Sequence, residues 1–266
     1  MDDGILEELL RARESRTLCA LATVAATTGS VPRQAGSKMV VYGDGSTSGT
    51  IGGGKFEALV VEDSLKSIAA KQTLLKTYPL REGKPDSFGA ICGGEVTVMI
   101  EPQNLSSAIF LVGAGHCSQA IAKLALDCGM HVTAVDDRAE LLQNFPAQVE
   151  RVKEDAAAFI AQRDWQDDDA LVLVSRNYQL DRDALAAALK TNCAGYIGMI
   201  GSNRKVLRVI DDLKQRGLDP KRKIYAPIGL DIGADSPAEI AVSVIAEILK
   251  VQRKRSAEHL RLSEAK

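Results

Sequence analysis

The run Ala108-Ile109-Phe110-Leu111-Val112, followed at once by Gly113-Ala114-Gly115-His116-Cys117-Ser118, constrains this chain more than any other stretch. Five consecutive apolar residues predict a strand covered on both faces, and such strands belong to parallel sheets. The glycines predict a tight turn into a helix, Gln119 to Cys128, with its first amides open to an anion. His131 to Val135 predicts the next strand, ending at Asp136-Asp137-Arg138. An acid about 20 residues past a glycine turn suits a ribose, which completes the dinucleotide fingerprint of a Rossmann-type unit. Ser118 stands where the third glycine usually sits, and serine is small enough for close helix–strand packing. The topology follows from this pattern; the ligand does not.

Later segments extend the same sheet. Ala170 to Val174 ends at Ser175-Arg176-Asn177 before a helix from Asp181 to Lys190, and Tyr196 to Ile200 ends at Gly201-Ser202-Asn203-Arg204-Lys205 before a helix through Leu213. Ligands of open α/β sheets bind beyond the carboxyl ends of strands, so Gly113, Gly115, His116, Asp136, Ser202 and Arg204 are candidate binding residues. Arg204 and Lys205, at a helix start, suit a phosphate, although charged residues near a helix terminus are also ordinary surface features. A glycine-punctuated loop from Tyr225 to Asp235 contains Asp231, the candidate there, and Ser236-Pro237-Ala238-Glu239 predicts a capping box.

The first hundred residues read differently. A helix from Ile5 to Glu14 precedes strands at Cys19 to Val24 and Lys38 to Tyr42, joined by the polar loop Thr27 to Gly36. Gly43-Asp44-Gly45 is a hairpin signal, and Gly49-Thr50-Ile51-Gly52-Gly53-Gly54 leads into a helix from Phe56 to about Lys71. Three glycines at a helix entrance leave its first N–H groups for an anion; the alternative is a plain turn and cap. Leu74 to Leu80 suits another strand. Ile91-Cys92-Gly93-Gly94-Glu95 then opens the strand Val96 to Ile100. Two glycines after a cysteine favour close backbone approach and an offered thiol over a strand interior, although free cysteine is more often buried and inert. Pro102 is expected to stop the ladder, with Gln103 to Ser107 as a polar linker, dividing the chain into domains at 1–103 and 104–266.

A net charge of −2 gives no global field for nucleic acid or membranes, and no apolar run reaches membrane-spanning length. The acidic start Met1-Asp2-Asp3 is unlike a signal peptide. Five cysteines without CxxC spacing argue against a disulfide framework or structural zinc site, so a reducing, cytoplasmic setting is expected.

Taken together, these segments resemble the XdhC/CoxI family, accessory proteins in the maturation of xanthine dehydrogenase and related molybdenum hydroxylases. The resemblance rests on Ala20 to Val24 with Gly29-Ser30-Val31-Pro32-Arg33, on Gly49 to Gly54, and on Ile91 to Glu95. It continues through Val112 to His116, Asp136-Asp137-Arg138, Tyr196 to Ser202 and Pro227 to Ala234, covering nearly the whole chain in order. It implies a small α/β amino-terminal domain followed by a doubly wound, Rossmann-type parallel-sheet domain, in a homodimer. It further implies a chaperone that binds molybdenum cofactor (molybdopterin), protects it, assists its sulfuration by a cysteine desulfurase and delivers it to the apo-hydroxylase. By that resemblance Cys92 is the reactive thiol and metal-contacting residue, while Gly52, Gly53, Gly54, Gly93, Gly94 and Glu95 wrap the pterin. Many relatives carry a second cysteine after the triple glycine; this chain has Lys55, a cation suited to phosphate or an oxo-metal group.

The competing reading is an NAD(P)-dependent oxidoreductase with Asp136 on the ribose and Cys92 or His116 near the substrate. Against it, none of His116, His131 and His259 lies in a recognisable acid/base context for hydride transfer. Intermediate between them is NAD(P) binding as a regulator without turnover, and a third reading is a passive scaffold.

Overall fold

The computed structural model describes residues 3–80, 93–103, 107–191, 193, 195–219 and 224–260. Cys92, the thiol singled out above, lies outside the described residues. The chain divides into two compact units, Met1–Leu105 and Ser106–Lys266.

The first unit contains helix α1 (Asp3–Glu14), strands β1 (Cys19–Thr28), β2 (Lys38–Tyr42) and β3 (Thr47–Gly49), helix α2 (Gly54–Ala70), and strands β4 (Leu74–Pro79) and β5 (Glu95–Gln103). The strands form one antiparallel sheet in the order β3-β2-β1-β5-β4. Alternation decides which side chains go where: Ala20, Ala22, Val24, Val96, Val98 and Ile100 share one face and pack with Phe56 and Val60 of α2. Cys19 and Val40 lie on the opposite face against Ile5 and Ala12 of α1. Burial raises the Cys19 thiol above its ordinary pKa, as expected of an inert core cysteine.

Two expectations need correction. β1 runs four residues beyond Val24, with a register shift between Val24 and Ala26 that keeps it paired with β5. Pro102 does not stop the ladder, since it pairs with Ala20 and β5 continues to Gln103. β4 stops pairing at Ile100, so by Pro102 the strand has a neighbour on one side only, where proline is tolerated.

The second unit comprises β6 (Ala108–Val112), α3 (His116–Asp127), β7 (His131–Val135), α4 (Ala139–Leu142), β8 (Glu150–Val152), α5 (Ala156–Gln162), β9 (Ala170–Leu173), α6 (Tyr178–Lys190), β10 (Tyr196–Met199), α7 (Asn203–Gln215) and α8 (Pro237–Gln252). Its sheet is parallel throughout, in the order β10-β9-β6-β7-β8. Ile109 and Leu111 face α3 and α8, whereas Phe110 and Val112 face the side of α5, α6 and α7. β6 is therefore buried on both faces, which is why its sequence is an unbroken apolar run. The capping box forms as expected, with reciprocal bonds between Ser236 and Glu239. The fold is mixed α/β, a small antiparallel-sheet unit followed by a Rossmann-type parallel-sheet unit. Among the described residues no helix is long and apolar enough to cross a membrane.

Candidate functional site

In the first unit, two glycine-bearing bends of the sequence converge on one loop. Gly94 lies so close to the loop after β1 that a Cβ would meet the carbonyl oxygens of Thr28 and Ser30, the latter at 2.5 Å. A backbone bridge pairs Ser30 with Gly93, and Gly93 also donates its N–H to Leu80 O at 3.1 Å. On the other side, a Cβ on Gly52 would come within 2.7 Å of Pro32 Cγ. The segment Gly29 to Arg33 is thus held between the Gly52 bend and the Gly93-Gly94 bend. Gly53, Gly54 and Gly93 have open space where a Cβ would stand. Glu95 opens β5, in register with Thr28 on one side and Pro79 on the other.

The Gly52 bend is braced from within. The Glu57 carboxylate accepts from the Thr50 hydroxyl at 2.6 Å, from Ile51 N–H at 3.2 Å and from Gly53 N–H at 3.1 Å. Burial pulls the Glu57 carboxyl upward, but the Thr50 hydroxyl and the glycine-loop amides outweigh it and leave the pKa below the ordinary range. This corrects the expected cradle. The loop amides already serve Glu57, and Gly52 N–H points to Thr50 Oγ1. The N–H groups left without an intrahelical acceptor are those of the first turn of α2, beginning at Gly54, and no side chain caps that helix. Lys55 and Arg33 are exposed and carry no ion pair among the described residues.

In the second unit, Gly113 takes φ +113°, and a Cβ there would stand 2.5 Å from Val174 O, so only glycine lets the turn pass β9. α3 starts at His116, three residues before the expected Gln119, with extended Gly115 as an N-cap that supplies no side-chain acceptor. His116 is exposed at this helix start. Ser118 is fully buried, as a third-glycine position demands, yet its hydroxyl has no partner among the described residues.

The expected ribose acid is otherwise engaged. Asp136 is buried; it accepts from Ala114 N–H at 2.8 Å, Arg138 N–H at 3.0 Å, Arg138 Nε at 2.8 Å and Arg138 Nη2 at 2.9 Å. It braces the glycine turn much as Glu57 does in the first unit. Asp137, which sequence reasoning passed over, is exposed and bonded edge-on to the Arg176 guanidinium at 2.7 and 3.0 Å. That pairing holds its carboxyl well below the ordinary range. The two residues line an open cleft with Val112, Gly113, Glu154 and Asp155, at the carboxyl ends of β6 and β7.

The remaining candidates serve other tasks or stand open. Ser202 caps α7, accepting from Lys205 N–H at 3.4 Å. Lys205, expected to suit a phosphate, is bound instead to buried Asp181 and to Ile200 O. Arg204 and Asp231 are exposed. The loop bearing Asp231 is anchored upstream: the Glu247 carboxylate takes the Tyr196 hydroxyl at 2.6 Å and Gly229 N–H at 3.0 Å, and Ser243 donates to Leu230 O at 2.6 Å. Among the described residues no cluster of three metal-ligating side chains occurs.

Comparison with known proteins places these features in a family context. Residues 109–248 match the XdhC Rossmann domain, and residues 12–79 match the XdhC and CoxI family. The chain is 34% identical over 254 residues to the uncharacterized protein YqeB of Escherichia coli K12, covering 94% of this chain and 46% of that one. It is 31% identical over 157 residues to a Bacillus subtilis protein described as a probable xanthine dehydrogenase subunit, covering 58% of this chain and 45% of that one. The chain therefore spans about half the length of the curated relatives it matches. A crystal structure described as a xanthine dehydrogenase from Bacillus halodurans superposes with a TM-score of 0.51 at 20% identity, covering 95% of this chain and 96% of that one. At that identity the likeness is one of fold.

Proposed function

The chain belongs to the XdhC and CoxI family, and from that premise we propose that it is an accessory protein in the maturation of a xanthine dehydrogenase-type molybdenum hydroxylase. Its cargo is the molybdenum cofactor, which it shields, presents to a cysteine desulfurase for sulfuration and passes to the apo-hydroxylase, working as a homodimer. The observation that carries this reading is the convergence of the Gly52 and Gly93-Gly94 bends on the Gly29–Arg33 loop.

The residues present suit such a cargo. Molybdopterin is an anionic pterin dithiolene with a terminal phosphate, and its metal accepts soft thiolate ligands. Gly53, Gly54 and Gly93 leave room for a flat ring system to approach the backbone. The uncapped first turn of α2 offers N–H groups to the phosphate, and Lys55 and Arg33 supply unspent positive charge. Cys92 directly precedes Gly93 in the sequence, and the Gly93 backbone is tied to Leu80 and Ser30. In this assignment Cys92 would hold the metal, and the first-turn amides of α2 with Lys55 and Arg33 would hold the phosphate end.

The test is anaerobic binding of isolated molybdenum cofactor at defined stoichiometry to the native protein, Cys92→Ala and Lys55→Ala. Native protein is expected to retain cofactor, with both variants retaining less and unfolding at the native temperature. Retention that is absent in the native protein, or unaffected by Cys92→Ala, refutes the assignment.

A further inference from the structure

We infer that the cleft at the carboxyl ends of β6 and β7 binds a nucleotide whose ribose keeps free 2′- and 3′-hydroxyls, with Asp137 as the ribose acceptor. The inference does not rest on the cofactor assignment. The order β10-β9-β6-β7-β8 reverses direction between β6 and β9, and ligands of such sheets lie at that switch point, beyond the strand ends. The cleft is there, lined by Gly113 from the turn after β6, Asp136 and Asp137 after β7, Glu154 and Asp155 after β8, and Ser175 and Arg176 after β9.

The choice of Asp137 over Asp136 follows from which carboxylate has oxygen to offer. The Asp136 side chain is 4% exposed and takes four hydrogen bonds from Ala114 and Arg138, whereas that of Asp137 is 54% exposed. The Arg176 guanidinium meets Asp137 through two parallel N–H···O bonds, one to each carboxylate oxygen. A vicinal diol presents two donors to the same edge and takes the guanidinium's place. Arg176 follows Ser175, whose Cα lies 2.9 Å from where a Gly113 Cβ would stand, so the released guanidinium is beside the glycine turn where a diphosphate lies. It exchanges a carboxylate partner for a phosphate one, and bidentate geometry suits both.

The same lining selects against a 2′-phosphate. Four carboxylates, Asp136, Asp137, Glu154 and Asp155, face one guanidinium in the lining. A 2′-phosphate placed against Asp137 meets like charge; of the two guanidiniums beside that carboxylate, Arg176 is committed to the diphosphate and Arg138, 3.8 Å from Asp137 Oδ1, is bonded to Asp136.

The test titrates full-length protein, free of molybdenum cofactor, with NAD⁺, ADP-ribose and NADP⁺ by calorimetry. NAD⁺ and ADP-ribose are expected to bind alike, with NADP⁺ at least ~100-fold weaker, since like charge at a binding site costs several kcal/mol. Asp137→Ala is expected to weaken NAD⁺ and bring the two dinucleotides within ~10-fold, the one carboxylate placed directly against the 2′-phosphate being removed. The readout is dinucleotide affinity of protein free of molybdenum cofactor, which keeps this site's failure distinct from failure of the cofactor assignment. Should Asp137→Ala not fold, the native NAD⁺/NADP⁺ ratio carries the test alone. Equal affinity for NAD⁺ and NADP⁺, no binding of either, or an Asp137→Ala variant with native selectivity overturns the inference.

Discussion

Glu57→Ala is the most direct test of how the first unit holds its glycine bend. The native carboxylate receives three hydrogen bonds, from Thr50 Oγ1 and from the N–H groups of Ile51 and Gly53. Hydrogen bonds to a charged acceptor contribute ~1.5–3 kcal/mol each, but that sum overcounts wherever water re-solvates the freed donor. Thr50 and Gly53 are part-exposed and recover most of the loss, while Ile51 is 1% exposed and recovers little. The acid also sits in the first turn of α2, where the helix dipole adds ~0.3–1 kcal/mol. The net expectation is a loss of about 3 kcal/mol, read from urea unfolding at pH 7 as a lower midpoint with an unchanged slope. The pH dependence checks the mechanism. Because the folded-state pKa of Glu57 is depressed, its contribution is full above the ordinary glutamate value of about 4.3 and disappears as pH falls through the folded value. The gap between native protein and variant therefore closes in acid. A gap below ~0.5 kcal/mol at pH 7, or one that does not narrow on acidification, refutes the clasp.

Three other outcomes follow from the geometry. Gly94→Ala places a methyl group on two backbone carbonyl oxygens that cannot yield and is expected to cost ~3 kcal/mol or prevent folding, whereas Gly93→Ala meets open space and costs only the ~1–2 kcal/mol of left-handed backbone; equal thermal shifts for the pair contradict this. Ser118→Ala removes a buried, unpartnered hydroxyl and is expected to leave the melting temperature unchanged or raise stability by up to ~1 kcal/mol, so a clear loss means the hydroxyl has a partner. Burial first, and then the Glu8 carboxylate at 2.6 Å, push Tyr42 up to about 12, while burial with Asp63 and with Glu247 raises Tyr78 and Tyr196. Each neutral phenol's contribution is full below the ordinary tyrosine value of about 10 and is lost as pH rises through the folded value, so these phenolates are expected only with alkaline unfolding. Spectrophotometric titration that ionises all five tyrosines reversibly near pH 10, with secondary structure intact, contradicts this.

The parts of the fold legible in the sequence were those with long or doubly buried patterns. β6 and β9 show as unbroken apolar runs because both their faces are covered, and α8 shows through its capping box. α4, β8 and α5 were missed because each is short. β8 is Glu150-Arg151-Val152, largely exposed and without apolar alternation, and its only nearby signal was Asp155, which caps α5 by accepting from Ala158 N–H. The late start assigned to α3 has a similar cause, since Gly115 is an N-cap through its extended backbone and leaves no side-chain signature. In the site, glycine positions were legible because close approach leaves glycine as the one tolerated residue. The partners of charged groups were not. Lys205 looked free for phosphate until Asp181, from the preceding helix, was seen to hold it. Nothing in Asp136-Asp137 says which acid turns inward; the sheet and the Ala114 amide decide that.

Glu57 and Asp136 together bear on what these glycine loops present to a ligand. Each loop precedes a helix that starts without a side-chain cap, and each gives loop amides to a carboxylate of its own unit: Ile51 and Gly53 to Glu57, Ala114 to Asp136. α6, α7 and α8, by contrast, are capped by Asn177, Ser202 and Ser236. An internal carboxylate fixes the loop before any ligand arrives, so binding is spared the ordering cost of a flexible glycine segment. It also puts negative charge behind the loop, which weakens the attraction an incoming anion feels there. Ligand anions are therefore left to the first-turn amides of α2 and α3 and to cations at the rim, Lys55 and Arg33 in one unit and Arg176 in the other. Binding of phosphate-bearing ligands by either unit should accordingly be salt-sensitive and governed by those side chains, with the glycines setting shape and the arginines and lysine setting affinity.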